Sequence, residues 1–130
     1  MKKLTICAIM IITLSILLSS CVFPGKVNIS NDSQGNIKYI YNDKNISTSM
    51  SKEDSETIIN IIDGRECQYD NPSCGFDGNI SFSFGNDTFY PACDGCSIIK
   101  YHNKYFNVLD AEIKQIHAIM EKYGAYFPCI

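Results

Sequence analysis

Apolar residues run almost unbroken from Leu4 to Leu18, behind the positive pair Lys2-Lys3, and no comparable run recurs. Beyond it the apolar positions become periodic. Ile58, Ile61 and Ile62 fall at three- and four-residue steps, which place side chains on one face of a helix. Ser51-Lys52-Glu53-Asp54 precedes them like a capping box: the Ser51 hydroxyl can accept from an N–H three residues on, and the acids sit at the positive helix end. Gly64 is the expected stop. Leu109, Ile113, Ile116, Met120 and Tyr123 trace a second helical stripe, with Asp110 as N-cap and Gly124 at its end.

Between these helices the period changes to two. In Asn79-Ile80-Ser81-Phe82-Ser83-Phe84 apolar and polar residues alternate, which predicts a strand with one buried face. Gly85-Asn86 suits a two-residue turn, and Asp87 to Cys93 returns. With Phe84 opposite Asp87, Cys93 falls opposite position 78. Asp94-Gly95 predicts a type I′ turn, in which both central residues need positive φ. Cys96–Tyr101 is then the third strand, and a turn at His102-Asn103 leads to Lys104–Val108 as the fourth. Upstream, Asn36–Tyr41 and Asn45–Met50 form a further hairpin. The order is strands, helix, antiparallel meander, helix. That is a small single-domain α+β fold, with both helices covering one side of the sheet.

The N-terminal run has a different purpose. A charged start followed by an apolar stretch too short for a spanning helix is the pattern of a secretory signal peptide, residues 1–20. Its end, Leu18-Ser19-Ser20-Cys21, resembles the lipobox of bacterial lipoproteins: Leu at −3, small residues at −2 and −1, then cysteine. The resemblance implies cleavage between Ser20 and Cys21 and a diacylglycerol on the Cys21 sulfur, with a third chain on the amine in many bacteria. Each buried methylene is worth about 0.8 kcal/mol, so two or three chains anchor stably where one does not. The expected address is the bacterial cell envelope, lipid-anchored. Val22 fits outer-membrane sorting if the host is Gram-negative; otherwise the address is the outer face of the cell membrane. Val22 to Gly35 is rich in Gly, Ser and Asn, so residues 21–35 read as lipidated cysteine and flexible tether to a globular domain over 36–130.

The full chain has a formal net charge of −3, and loss of Lys2 and Lys3 makes the remainder more acidic. With no Lys/Arg cluster, this argues against nucleic acid as a partner and against extra attraction to anionic headgroups.

Five cysteines follow Cys21: Cys67, Cys74, Cys93, Cys96 and Cys129. An exported chain meets a space in which disulfides persist. Cys93 and Cys96 lie in the stretch Pro91-Ala92-Cys93-Asp94-Gly95-Cys96. A redox CxxC sits at a helix N-terminus, whereas this one straddles strand, turn and strand. Ser97 replaces the His that a c-type haem site needs. Zinc on Cys67, Cys74, Cys93 and Cys96 is the metal alternative, with a Cys-x₆-Cys spacing in place of a second CxxC. Disulfides are the favoured reading. Residues flanking a two-residue hairpin hold their Cβ atoms too far apart for a relaxed Cys93–Cys96 bond. The register instead brings Cys74 beside the turn, which predicts Cys74 bonded to Cys96 or Cys93. Cys129 then closes onto the remaining one, and Cys67 is the odd thiol.

No catalytic residues are assigned. GxSxG, HExxH, P-loop and dinucleotide-binding motifs are all missing from the sequence, and no cofactor is implied. His102 reads as a turn residue and His117 as a helix flank residue. Asp70, Asp77, Asp87 and Asp94 read as solvated loop acids, because no calcium-loop series accompanies them. The tail Tyr126-Phe127 lies beyond the second helix and is expected to dock onto the domain.

The meander Phe82-Ser83-Phe84-Gly85, Cys93-Asp94-Gly95-Cys96 and Tyr105-Phe106 between two helices also resembles small uncharacterised lipoproteins of low-GC bacteria, over roughly residues 51–123. That resemblance implies no activity. The expected function is a lipid-anchored binding domain, not an enzyme, with an inhibitor, immunity-like, adhesin or envelope accessory role. Its expected partners are the membrane, through the lipid, and another envelope or extracellular protein. The alternative is an envelope metal-binding or thiol-redox protein.

Overall fold

The computed structural model describes residues 24–127. The lipobox, Cys21 and Cys129 lie outside the described residues. Six strands form one antiparallel sheet: β1 (Gly35–Tyr41), β2 (Lys44–Ser49), β3 (Ile80–Phe84), β4 (Asp87–Pro91), β5 (Ile98–Tyr101) and β6 (Lys104–Asn107), in the order β2-β1-β3-β4-β5-β6. Helix α1 (Lys52–Ile62) follows β2, and α2 (Asp110–Lys122) follows β6. This is the α+β fold that the two periods predict.

Alternation gives the sheet its two faces. Ile37, Phe82, Phe89 and Tyr101 stand in one cross-strand row over β1, β3, β4 and β5. Phe89 stacks on Phe82 at 5.4 Å and on Tyr101 at 4.7 Å, between ring centroids. Ile58, Ile59 and Ile62 of α1 and Ile113, Ile116 and Met120 of α2 join these residues in a single buried cluster. Both helices therefore cover the same face. Burying one such side chain contributes about 1.5–3 kcal/mol, and the cluster supplies the main driving force of the fold.

Two ion pairs tie the helices together at opposite ends. Lys122 Nζ lies 2.7 Å from Asp54 Oδ1, while Arg65 Nη2 beyond α1 lies 2.6 Å from Glu112 Oε1 at the start of α2. The first end is the more elaborate. The Tyr123 hydroxyl donates to Asp54 Oδ2 at 2.8 Å and accepts from the Ser51 N–H at 2.7 Å. Ser51 caps α1 as expected, its hydroxyl accepting from the Asp54 N–H.

Several local expectations are corrected. Leu109, not Asp110, is the N-cap of α2; the Glu112 carboxylate accepts the Leu109 N–H at 2.7 Å, and the Asp110 carboxylate accepts from the Ser97 hydroxyl. Leu109 has the extended backbone of a cap, which places Asp110 already inside the helix. The stretch 21–35, expected as a flexible tether, is held to the domain at Val27 and Ile29. Val27 and Ile29 are buried in the core, the Val27 N–H bonds the Arg65 carbonyl, and the Gly64 N–H bonds the Val27 carbonyl. Two apolar residues two apart in a polar stretch are enough to lay it against the domain, so the folded unit starts before residue 36. The tail divides its two aromatics. Phe127 is buried against His117 and Tyr39, and the Tyr39 hydroxyl donates to the Tyr126 carbonyl, whereas the Tyr126 side chain is exposed.

Candidate functional site: a groove walled by a disulfide-held loop

The other face of the sheet carries no helix. From Gln68, which pairs with Tyr105 on edge strand β6, the chain must cross β5 and β4 to reach β3. It does so over this face. The Phe76 ring meets the Tyr105 ring at 5.6 Å, which buries a tyrosine that alternation alone would leave in water.

Three bonds fix the crossing segment. Cys74 and Cys96 form a disulfide, their Cα atoms 6.1 Å apart. The Cys93 N–H donates to the Gly75 carbonyl at 2.8 Å, and the Asp94 carboxylate accepts the Gly75 N–H. Asp94 also takes the Cys96 N–H, so it organises the connection between β4 and β5. This departs from the expected type I′ turn. Gly95 has φ +84°, but Asp94 is not in the left-handed region, and the strands stop at Pro91 and resume at Ile98. The register is also shorter than expected: Phe84 does oppose Asp87, yet Cys93 meets Gly75 rather than position 78. The expectation that Cys74 enters beside this turn holds in spite of that difference.

The other cysteines divide. Cys67 is a buried thiol in the core, and burial pushes its pKa up, with Lys104 partly opposing. Cys93 is half-buried, packs against the core, and has its sulfur 3.5 Å from the Pro91 carbonyl oxygen. The bond expected between Cys129 and the cysteine not taken by Cys74 involves a residue outside those described. Among the described residues, the one grouping with metal-ligand spacing is Cys74, Asp94 and Cys96, and two of its three donors are joined as the disulfide. Cys67 and Cys93 are not part of that group, so the four-thiolate set is not brought together.

Behind the disulfide lies a groove of about 460 Å³, within the size range of small-ligand sites. Thr88 and Tyr90 of β4 and Lys100 of β5 line it, with Tyr90 and Lys100 directly opposite each other in the register. Phe76, Asp77 and Gly78 form its wall, and Asn86 and His102 its far rim. Asp77 is itself committed, since its Oδ1 accepts the Asn79 N–H. His102 has φ +53° in the β5–β6 turn, and its Nε2 lies 3.6 Å from Asp87 Oδ1. The Tyr101 hydroxyl donates to the same oxygen at 2.6 Å, and burial together with Asp87 pushes its pKa up to about 12. The ammonium of Lys100, by contrast, has no ion pair or hydrogen bond among the described residues.

Sequence reasoning did not single out this groove. Its lining residues are ordinary outward positions of strands. The available signal was the length of the segment between Gly64 and Asn79, which has to pass over something to join α1 to an interior strand. His117 was likewise misplaced. It is buried rather than on the helix flank, stacks on Phe127 with ring centroids 4.1 Å apart, and neither ring nitrogen makes a hydrogen bond.

No protein-family model, curated protein or solved structure matches the chain. No helix among the described residues is long and apolar enough to cross a membrane.

Proposed function

We propose that this protein is a bacterial envelope lipoprotein, held at the membrane through lipid on Cys21, and that its folded domain acts by binding and not by catalysis. The observation that carries the reading is the groove: a disulfide-fastened wall over a sheet face that no helix covers. A wall fixed covalently keeps a recognition surface preformed, which reduces the ordering cost of binding. Lipid attachment confines such a surface near its target and raises its effective concentration.

The anchor is tested by expressing the full chain in a bacterium fed an alkyne-tagged fatty acid. The expected result is label on the wild type, none on Cys21→Ser, and membrane sedimentation of the wild type alone. Unlabelled wild type would refute anchoring. Binding is tested by hydrogen exchange of the full-length protein in detergent, with and without isolated cell envelope. Protection at 86–90 and 98–102 supports the groove; unchanged exchange there counts against it.

A further inference from the structure

The groove's chemistry narrows its ligand. Its floor belongs to β4 and β5, which are interior strands of the sheet with neighbours on both sides. Their backbone N–H and C=O groups are engaged in the ladder, so an extended peptide cannot add itself as a further strand here. What the floor offers is side chains only: the Thr88 hydroxyl, the Tyr90 ring and hydroxyl, and the Lys100 ammonium. Asn86 adds an amide at the rim. Hydroxyl, amide and aromatic groups together suit a ligand that presents many hydroxyls along one edge and a C–H face on the other.

Charge adds a second constraint. Lys100 is half-buried on the floor and its ammonium is unpaired among the described residues. Asp77 lines the same groove and keeps its charge while its Oδ1 accepts the Asn79 N–H, so Lys100 and Asp77 give the groove one cationic and one anionic side. Asp87, on the helix-covered face of β4, bonds the Tyr101 hydroxyl and faces His102. A cation with no ion pair of its own can take up an anion that arrives with the ligand, in a charge-assisted hydrogen bond. Resting on the proposed binding role of this groove, we infer that its ligand is an acidic saccharide, its carboxylate meeting Lys100 and its sugar ring lying over Tyr90. The volume of about 460 Å³ admits one or two sugar rings.

The test uses the full-length protein in detergent micelles, with chemical shifts of the groove residues followed by NMR. The probes are digalacturonate, its neutral methyl ester, and a triglutamate peptide. Digalacturonate is expected to shift Thr88, Tyr90 and Lys100. It should bind at least about tenfold more tightly than the ester, with affinity falling as salt is raised. Lys100→Met should remove that preference and Lys100→Arg should restore most of it, both variants keeping the wild-type melting profile. Equal binding of acid and ester, or indifference to Lys100→Met, would overturn the acidic class while leaving a saccharide groove in place. Peptide binding in the groove without digalacturonate binding would overturn the saccharide and leave the binding role standing. If none of the three probes moves a groove residue, the acidic-saccharide class is overturned, and the binding role stands or falls on the exchange experiment with isolated cell envelope.

Discussion

Cys74 is bonded to Cys96 two residues before Phe76 lays its ring on Tyr105. One covalent link therefore sets both the end of the β4–β5 connection and the wall of the groove. The bond spans a sequence separation of 22, for which loop-closure entropy gives about 3 kcal/mol of stabilisation. The double variant Cys74→Ser/Cys96→Ser should lose about that much in urea denaturation. Its native-state exchange should rise first across 72–78 rather than across the helices. Uniform loosening would show that the wall has no separate dependence on the bond.

Asp54 joins α1 to the last turn of α2. Lys122 holds its carboxyl below the usual carboxylate range, with Tyr123 and Ser51 adding to this and burial opposing it. Because the folded pKa is depressed, the contribution is complete above the unfolded value and is lost as pH falls through the folded one. Asp54→Asn should cost about 1–2 kcal/mol at pH 7, a figure reduced by the exposure of Lys122. The cost should shrink toward zero at low pH, as read by chemical denaturation across a pH series.

His117 acts in the same direction over a higher pH window. Burial drives its pKa from 6.5 down to about 4. The folded protein keeps the ring neutral where the unfolded chain would protonate it, so stability should fall as pH is lowered from about 6.5 to 4. The whole effect is on the order of 3 kcal/mol. His117→Phe should flatten this limb and leave the protein more stable than wild type at pH 4.5. An unchanged pH profile in that variant would exclude His117 as the source.

Gly124 ends α2 at φ +101°, and a Cβ there would lie 2.9 Å from Ile46 Cδ1 on β2. Gly124→Ala combines backbone strain with a clash across two elements. A loss of about 1–3 kcal/mol is expected in thermal denaturation, with Gly85→Ala as a control for strain alone, since nothing lies within 4 Å of its added Cβ.

Much of the fold was legible because it is local. The Ile58-Ile61-Ile62 stripe, the Ser51 cap, the Phe82-Phe84 alternation and the Gly85-Asn86 turn each depend on residues within one helical turn or one hairpin. The placement of Asp110 failed for the opposite reason: its carboxylate has a partner, Ser97, thirteen positions away, and no local rule can weigh that. His117 failed because a helix pattern assigns faces by hydrophobicity, and a neutral imidazole stacked on Phe127 is a core residue in all but name.

By itself the sequence determined the α+β class, the antiparallel meander, and the entry of Cys74 beside the Cys93-Asp94-Gly95-Cys96 turn. Only the tertiary structure decided that Cys96 is the partner of Cys74, that Val27 and Ile29 belong to the core, and that the segment after Gln68 crosses the open face to make a groove. Periodicity reports which side of an element is buried. It carries no record of which distant segment does the burying, because that choice depends on the path of the connections and on contacts between residues far apart in the chain.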